Sequence, residues 1–195
     1  VFGTTFVFER MELSAILLPL SLAAMFVASA LAIFQTDLKK LLAYSSVAQI
    51  GYITLGLSLE SAAGLTASIV HLVNHGVTKA GLFMAAGCAV LVMGGSSMSR
   101  MAGLGRVMPL TSFGIVVGGL SLIGVPGTAG FITKWNLILA ALERSQWWLV
   151  FAIVLSSLLA VVYVWRFVEA AYFRAPAKTT GEQARLPRSM AIGAW

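Results

Sequence analysis

The feature that most limits what this chain can become is a series of apolar runs long enough to cross a membrane. A spanning helix needs about 20 mostly apolar residues. Residues 13–34 supply that length without a charge. Residues 41–59 follow, studded with Tyr44, Ser45, Ser46, Gln49 and Tyr52. A third run, 62–93, carries His71, His75 and Lys79. It exceeds a perpendicular span and is expected to tilt or to extend past the bilayer. A fourth begins at 110, is interrupted by Gly124-Val125-Pro126-Gly127-Thr128-Ala129-Gly130, and resumes over 131–142 with Lys134 near its start. The last spans 147–164 and is expected to stay helical to 173.

The pattern predicts an all-α, polytopic transmembrane bundle over 13–175, with about five spans and a broken helix at Pro126. Residues 1–12 read as a loop before the first span and 176–189 as a polar, basic loop. Residues 190–195 read as the start of a further helix. With Val1 rather than Met at the start, truncation at both ends is expected.

Composition agrees. Only 10% of the residues are charged and 59% are hydrophobic, against about 25% charged in an average soluble domain. The net charge of +6 is scattered between apolar segments, which argues against a nucleic-acid partner. It suits a membrane protein, whose basic residues collect in cytoplasmic loops. Lys39, Lys40, Arg100, Arg106, Arg174, Lys178, Arg185 and Arg188 fall on one side. Arg10 and Arg144 fall on the other, beside Glu9, Glu12, Glu60 and Glu143. Loops 35–40, 94–109 and 174–189 are therefore expected in the cytoplasm of a bacterial inner membrane. The count treats the Pro126 break as a kink within one crossing. A single cysteine, Cys88, excludes an internal disulfide framework and reads as a packing residue.

His71, His75 and Lys79 are spaced by four, so on a helix they share one face and rise roughly 12 Å. Ionisable residues in a membrane span are costly and normally face the bundle interior or a wet cavity. A His exchanges protons near neutral pH. The stations would be about 6 Å apart, so water held by Thr78, Ser68 or Asn74 would have to bridge them. The plainer reading is that the two His satisfy hydrogen bonds to neighbouring helices. A metal site is disfavoured, because Leu72-Val73-Asn74 lacks the Glu of an HExxH motif.

Lys134 follows the break directly. Gly124, Gly127 and Gly130 tolerate unwound backbone, and Pro126 cannot donate within a helix. Broken helices are where transporters place ion sites. The competing reading has Lys134 snorkelling to an interface. Asp37, Lys39 and Lys40 read as a solvated turn. Tyr44, Ser45 and Gln49 could hold water or join helices. Arg166 and Glu169 are expected to form a local ion pair. No phosphate loop, CxxC pair or GxSxG elbow is present. No cofactor or metal and no catalytic site in this chain are expected.

Several of these segments carry a family resemblance. The stretch Gln35-Thr36-Asp37-Leu38-Lys39-Lys40-Leu41-Leu42-Ala43-Tyr44-Ser45-Ser46 resembles the signature of antiporter-like membrane subunits of respiratory complex I, Mrp-type Na⁺/H⁺ antiporters and membrane-bound hydrogenases. Ala48-Gln49-Ile50-Gly51-Tyr52, the HxxxHxxxK stripe and the segment from Gly124 to Lys134 match as well. Trp135 and Tyr163-Val164-Trp165-Arg166 look closest to the D-type branch of the Mrp antiporters.

The resemblance implies a larger fold of inverted repeats, of which this chain holds most of the second. It implies that Lys79 is the central proton carrier, Lys134 the terminal lysine, His71 and His75 the lining of the axis, and Lys39 part of it. The partners implied are other membrane subunits of a multisubunit complex, the lipid bilayer, and protons, with Na⁺ as an exchanged ion. Two functions are therefore carried forward. One is proton or Na⁺/H⁺ translocation along a Lys/His axis, in a complex of the proton-pumping NADH:quinone oxidoreductase type or an antiporter. The other is a non-conducting structural subunit.

Overall fold

The computed structural model describes residues 13–175. The readings of 1–12, 176–189 and 190–195, and the placement of Arg10, Lys178, Arg185 and Arg188, lie outside the described residues.

Helix α1 spans Leu13–Phe34, α2 Leu38–Ser58 and α3 Ala62–Met93. A short α4, Leu104–Val107, lies in the connection to α5, Pro109–Ile123. Then follow α6, Ala129–Glu143, and α7, Trp147–Val168, which continues as a π-helical turn, Glu169–Phe173. Local chemistry explains the boundaries. Asp37 caps α2 by accepting from the Lys39 and Lys40 amides at 2.9 and 3.1 Å. Ser61 caps α3 through the Gly64 amide at 2.9 Å. Gly94, at φ 71°, ends α3 in the left-handed conformation.

Four helices, α1, α2, α3 and α7 with its π-helical turn, are long and apolar enough to cross a membrane. At 1.5 Å per residue, α3 is roughly 48 Å long; it exceeds the hydrocarbon core, as expected from its run. The 15 residues of α5 and the 15 of α6 each reach only about 22 Å, so neither crosses alone.

Contacts at the two ends of the bundle show how they cross together. At one end Leu38 N donates to Ser96 O, Met98 N to Thr36 O, and Gly103 N to Ala170 O. At the other end Arg144 Nε donates to Leu59 O at 2.8 Å and its Nη2 to Glu60 O at 3.0 Å. α5 starts beside the first group and α6 finishes at the second. The pair therefore makes one broken crossing, running antiparallel to α3: Gly118 of α5 meets Leu82, and Thr133 of α6 meets His71. The described residues form an integral membrane bundle of four long apolar helices, with the interrupted α5–α6 pair running alongside them.

The helix is broken around Pro126, as expected, and Gly124 makes the cap that ends its first half. Helix α5 has already ended at Ile123, where Gly124 takes φ 89° and donates to Leu120 O and Ser121 O. Val125 N also reaches Leu120 O, at 3.1 Å, which completes a Schellman-type end. Pro126 then stands exposed in the linker, and Thr128 caps α6 by accepting from Phe131 N. The Arg166–Glu169 pair is corrected. Glu169 instead binds Arg174 at 3.0 Å, because the π-helical turn brings residues five apart onto one face.

The buried apolar side chains form two clusters. One includes Leu38, Leu42, Leu82, Met101, Leu104, Ile115, Leu122, Tyr163 and Phe167. The other includes Met25, Tyr52, Leu55, Ala67, Leu137, Leu149 and Ile153. Buried polar residues separate them along every crossing: Ser29 on α1, Ser45 and Gln49 on α2, Ser68, His71 and Lys79 on α3, Thr133 and Lys134 on α6, and Ser156 on α7. The bundle is thus largely apolar at both levels, where Ser21 and Ser112 are also buried, and polar in between.

Candidate functional site

Two polar stripes face each other across this middle layer. On α2, Ser45, Gln49 and Tyr52 recur at helical spacing and are buried. On α3, Ser68, His71 and Lys79 do the same, with His75 half-buried in register between them. α6 and α7 close the layer with Thr133, Lys134 and Ser157.

Lys79 is 6% exposed. Its Nζ donates to Leu42 O at 2.7 Å and to Ser45 Oγ at 2.5 Å. Ser45 in turn donates to the same Leu42 carbonyl at 2.9 Å. The ammonium also lies 5.9 Å from the Phe83 ring centroid. Lys134 is 5% exposed, which rules out snorkelling. Its Nζ donates to Leu122 O at 2.8 Å, Ile123 O at 2.9 Å and Ser157 Oγ at 3.0 Å. It also stands 4.5 Å from the centroid of the Tyr52 ring, within cation–π reach. Leu122 and Ile123 end α5, and a cation at a helix C-terminus is favoured by the unpaired carbonyls there. The break therefore creates the acceptors, and Lys134 folds back over it to use them.

Two polar side chains join the lysines. Gln49 Nε2 donates to Leu122 O at 3.3 Å, the carbonyl that also holds Lys134. Tyr52 contacts Ser157 Oγ at 3.3 Å. His71 Nδ1 and Thr133 Oγ1 are 2.8 Å apart, and the His71 and His75 rings stack with centroids 6.2 Å apart. His71 Nε2 and His75 Nδ1 have no hydrogen-bond partner among the described residues. Gln49, His71, Asn74, His75, Thr78, Ser121, Leu122, Gly130 and Thr133 line a cavity of about 10 Å³, close to the volume one water needs.

The structure brings together Lys79, Lys134, His71, His75, Ser45, Gln49 and Thr78. Asn74 and Thr78 both line the cavity. Ser68 does not, since its hydroxyl is bound to Ile53 O at 2.8 Å. Gly130 lets α6 start against α5: its N–H meets Ser121 Oγ at 3.1 Å, and a Cβ there would collide with the Ser121 carbonyl. Gly124 lies against the Lys134 stem; Gly127 and Pro126 are exposed. Tyr44 packs half-buried on the apolar cluster.

Lys39 and Asp37 stand apart from the buried layer. Lys39 is exposed in the first turn of α2. Asp37 binds the Ser96 hydroxyl and so clasps the α1–α2 turn to the segment after α3. Partial burial works to raise the Asp37 carboxyl. The hydrogen bonds from Ser96, Lys40 and Lys39 and the Lys40 charge outweigh it and leave the group below its ordinary value.

Sequence reasoning passed over Ser157 and the carbonyls of Leu42, Leu122 and Ile123. Ser156 and Ser157 were legible as a polar pair in an apolar run. The carbonyls carried no signal, because every residue has one.

A family model for the NADH:quinone oxidoreductase/Mrp antiporter transmembrane segment matches residues 1–160. The chain belongs to that family. Within it, the NADH-quinone oxidoreductase subunit N of Desulforudis audaxviator is 44% identical over 146 residues, covering 75% of this chain and 29% of the relative. An antiporter-family fold is shared with the archaeal membrane-bound sulfane sulfur reductase complex: TM-score 0.82, 30% identity, 94% of this chain and 38% of that one. The Mrp complex from Dietzia sp. DQ12-45-1b superposes with TM-score 0.78 at 29% identity, over 88% of this chain and 32% of that one. This family member thus spans about a third of the length of the relatives it matches.

Proposed function

We propose that this chain supplies part of a proton path across the membrane, within a larger subunit of a multisubunit complex. Lys79 and Lys134 are its proton-binding stations, and His71, His75 and water between them form the connection. One observation carries this reading: both lysines are buried in the middle layer and bonded only to neutral acceptors. Among the described residues no carboxylate pairs with either. A lysine locked to a carboxylate leaves an uncompensated buried charge when it loses its proton. One held by carbonyls and hydroxyls leaves none. Its charge can therefore change without breaking an ion pair, as a relay requires.

A purely structural subunit would lock the same lysines in dry ion pairs or hydrogen bonds; the lack of a carboxylate partner among the described residues speaks against the first of these, and the flux assay below decides on the second. Basic loops 35–40 and 94–109 share one end of the bundle with Arg174, and we place that end in the cytoplasm. Lys39, exposed beside that end, serves in this reading as the entry to the path and not as part of the buried layer. Na⁺ enters as the counter-transported ion of an antiporter complex, which would supply the driving gradient.

The test is ion flux in proteoliposomes containing the assembled complex with the full-length subunit, wild type against Lys134→Ala. Lost proton flux with normal assembly supports the path. Unchanged flux returns the chain to a scaffold. Repeating the assay with and without a Na⁺ gradient separates proton pumping from exchange.

A further inference from the structure

The end of the bundle where Arg144 meets Leu59 carries a pocket that the proton path does not use. Its volume is about 350 Å³, within the roughly 300–1,000 Å³ of small-molecule sites. The α6–α7 turn gives it Arg144 and Gln146, the α2–α3 turn Glu60, the end of α2 Ser58, and the first turns of α1 Ser14 and Leu18. Arg144 and Glu60 carry opposite charges in one pocket, yet their side chains do not pair. The guanidinium donates instead to the backbone carbonyls of Leu59 and Glu60, at 2.8 and 3.0 Å. It has further N–H groups to offer, since an Arg carries five. Among the described residues the one ion pair is Arg174–Glu169, at the opposite end, and no hydrogen bond engages the Glu60 carboxylate. A positive and a negative group thus stay apart on one concave surface.

Trp147 and Trp148 mark the depth of the pocket in the membrane. They follow directly on Gln146 and are 71% and 51% exposed. Exposed Trp at the start of a span sits at the level of the lipid headgroups. The lining also changes with depth. The charged turns stand at the rim, and Leu18 lies one helical turn further along α1 than Ser14. Beside it Ile16 and Leu20 are exposed and continue the apolar surface of α1. A ligand with a charged head and an apolar tail matches that gradient. A simple anion does not, because it meets the Glu60 carboxylate as well as Arg144.

We propose that this pocket binds the headgroup of a phospholipid with a primary ammonium, of the phosphatidylethanolamine class. The phosphodiester accepts from the remaining N–H groups of Arg144, and the ammonium donates to the Glu60 carboxylate. Such charge-assisted hydrogen bonds are about twice as strong as neutral ones. The acyl chains run along the exposed apolar side of α1. The bound lipid ties the start of α1 to the α2–α3 and α6–α7 turns. The proposal stands apart from the proton path and is read by lipid binding, not by flux.

The experiment titrates the delipidated, detergent-solubilised complex holding the full-length subunit with phosphatidylethanolamine or phosphatidylcholine, and counts bound lipid by native mass spectrometry. Phosphatidylcholine has the same phosphate and a positive charge but no N–H to donate. Wild type is compared with Glu60→Gln, which keeps the backbone carbonyl that Arg144 holds. Glu60→Gln is expected to lower affinity for phosphatidylethanolamine about tenfold, the scale of one hydrogen bond to a charged group, and to lower affinity for phosphatidylcholine by less. Wild-type affinity for phosphatidylethanolamine in Glu60→Gln overturns the proposal, and so does an equal loss for both lipids. Glycerophosphoethanolamine, the same head without chains, is expected not to displace the lipid. Displacement at equal concentration would assign the pocket to soluble phosphoesters and overturn the lipid. Should Glu60→Gln fail to assemble, Ala15→Phe places a ring in the pocket from an exposed position on its wall. Loss of the preference for phosphatidylethanolamine then supports the site, and its retention overturns it.

Discussion

Lys134 donates to the carbonyl of Leu122 at 2.8 Å across a helix break formed by the Gly124-Val125-Pro126-Gly127-Thr128 linker. The same carbonyl accepts from Gln49 at 3.3 Å. A helix end that would otherwise leave carbonyls unpaired in hydrocarbon is thus satisfied by a positive charge on a flexible stem. Interruption of the helix and placement of the lysine are one design: without the break there is no acceptor, and without the lysine the break is costly.

Lys134→Met separates these roles. Flux is expected to be lost. The unpaired carbonyls of Leu122 and Ile123 are also expected to cost stability, about 1–3 kcal/mol. Thermal unfolding of the detergent-solubilised complex checks the second effect independently of transport. A variant as stable as wild type would mean that the carbonyls find other partners.

Thr133→Val keeps shape and removes the hydroxyl 2.8 Å from His71 Nδ1. The lost hydrogen bond is worth about 1 kcal/mol, so assembly is expected to persist. Flux is expected to fall, because His71 loses the contact that orients its ring. Normal flux would place His71 outside the path.

Gly130→Ala puts a methyl group against the Ser121 carbonyl. The start of α6 must then move away from α5, at a cost of about 1–3 kcal/mol, and Lys134 moves with it. Gly127→Ala meets open space but keeps φ near 91°, a strain of roughly 1–2 kcal/mol. Only the first is expected to reduce flux beyond its effect on stability. Equal flux in the two variants at matched assembly would show that the α5–α6 contact does not position Lys134.

Asp37 gives a pH dependence outside the spans. Its folded value lies below the ordinary 3.8, so its contribution to stability is fully present above that value and is lost as pH falls through the lowered one. Asp37→Ala removes the cap as well and is expected to cost about 1 kcal/mol at neutral pH. Asp37→Asn still caps, and the stability difference from wild type is expected to shrink in acid. A difference that does not change between neutral and acid pH would contradict the clasp.

Much of this was legible in the chain. The four long apolar helices follow from run length, because hydrocarbon forces every span to be long, apolar and helical. The His71–His75–Lys79 stripe follows from a spacing of four. Lys134 was marked by its place after the glycines. The break around Pro126 was legible too; that the left-handed Gly124 makes the cap was a detail only the fold decides. The acceptors were hidden for a different reason. Leu42 and Leu122 offer backbone oxygens, and Ser157 comes from a helix whose pairing only the fold decides. Lys39 shows the reverse: its motif pointed to the axis, yet the first turn of α2 leaves it exposed.

The central claim is that Lys79 carries protons, and the most direct measurement is proton flux in proteoliposomes holding the complete complex, wild type against Lys79→Ala, with assembly checked on the same preparations. Flux abolished in a fully assembled variant is the expected result. Wild-type flux from a fully assembled Lys79→Ala complex would contradict it, and would leave the polar middle layer as a feature of packing alone.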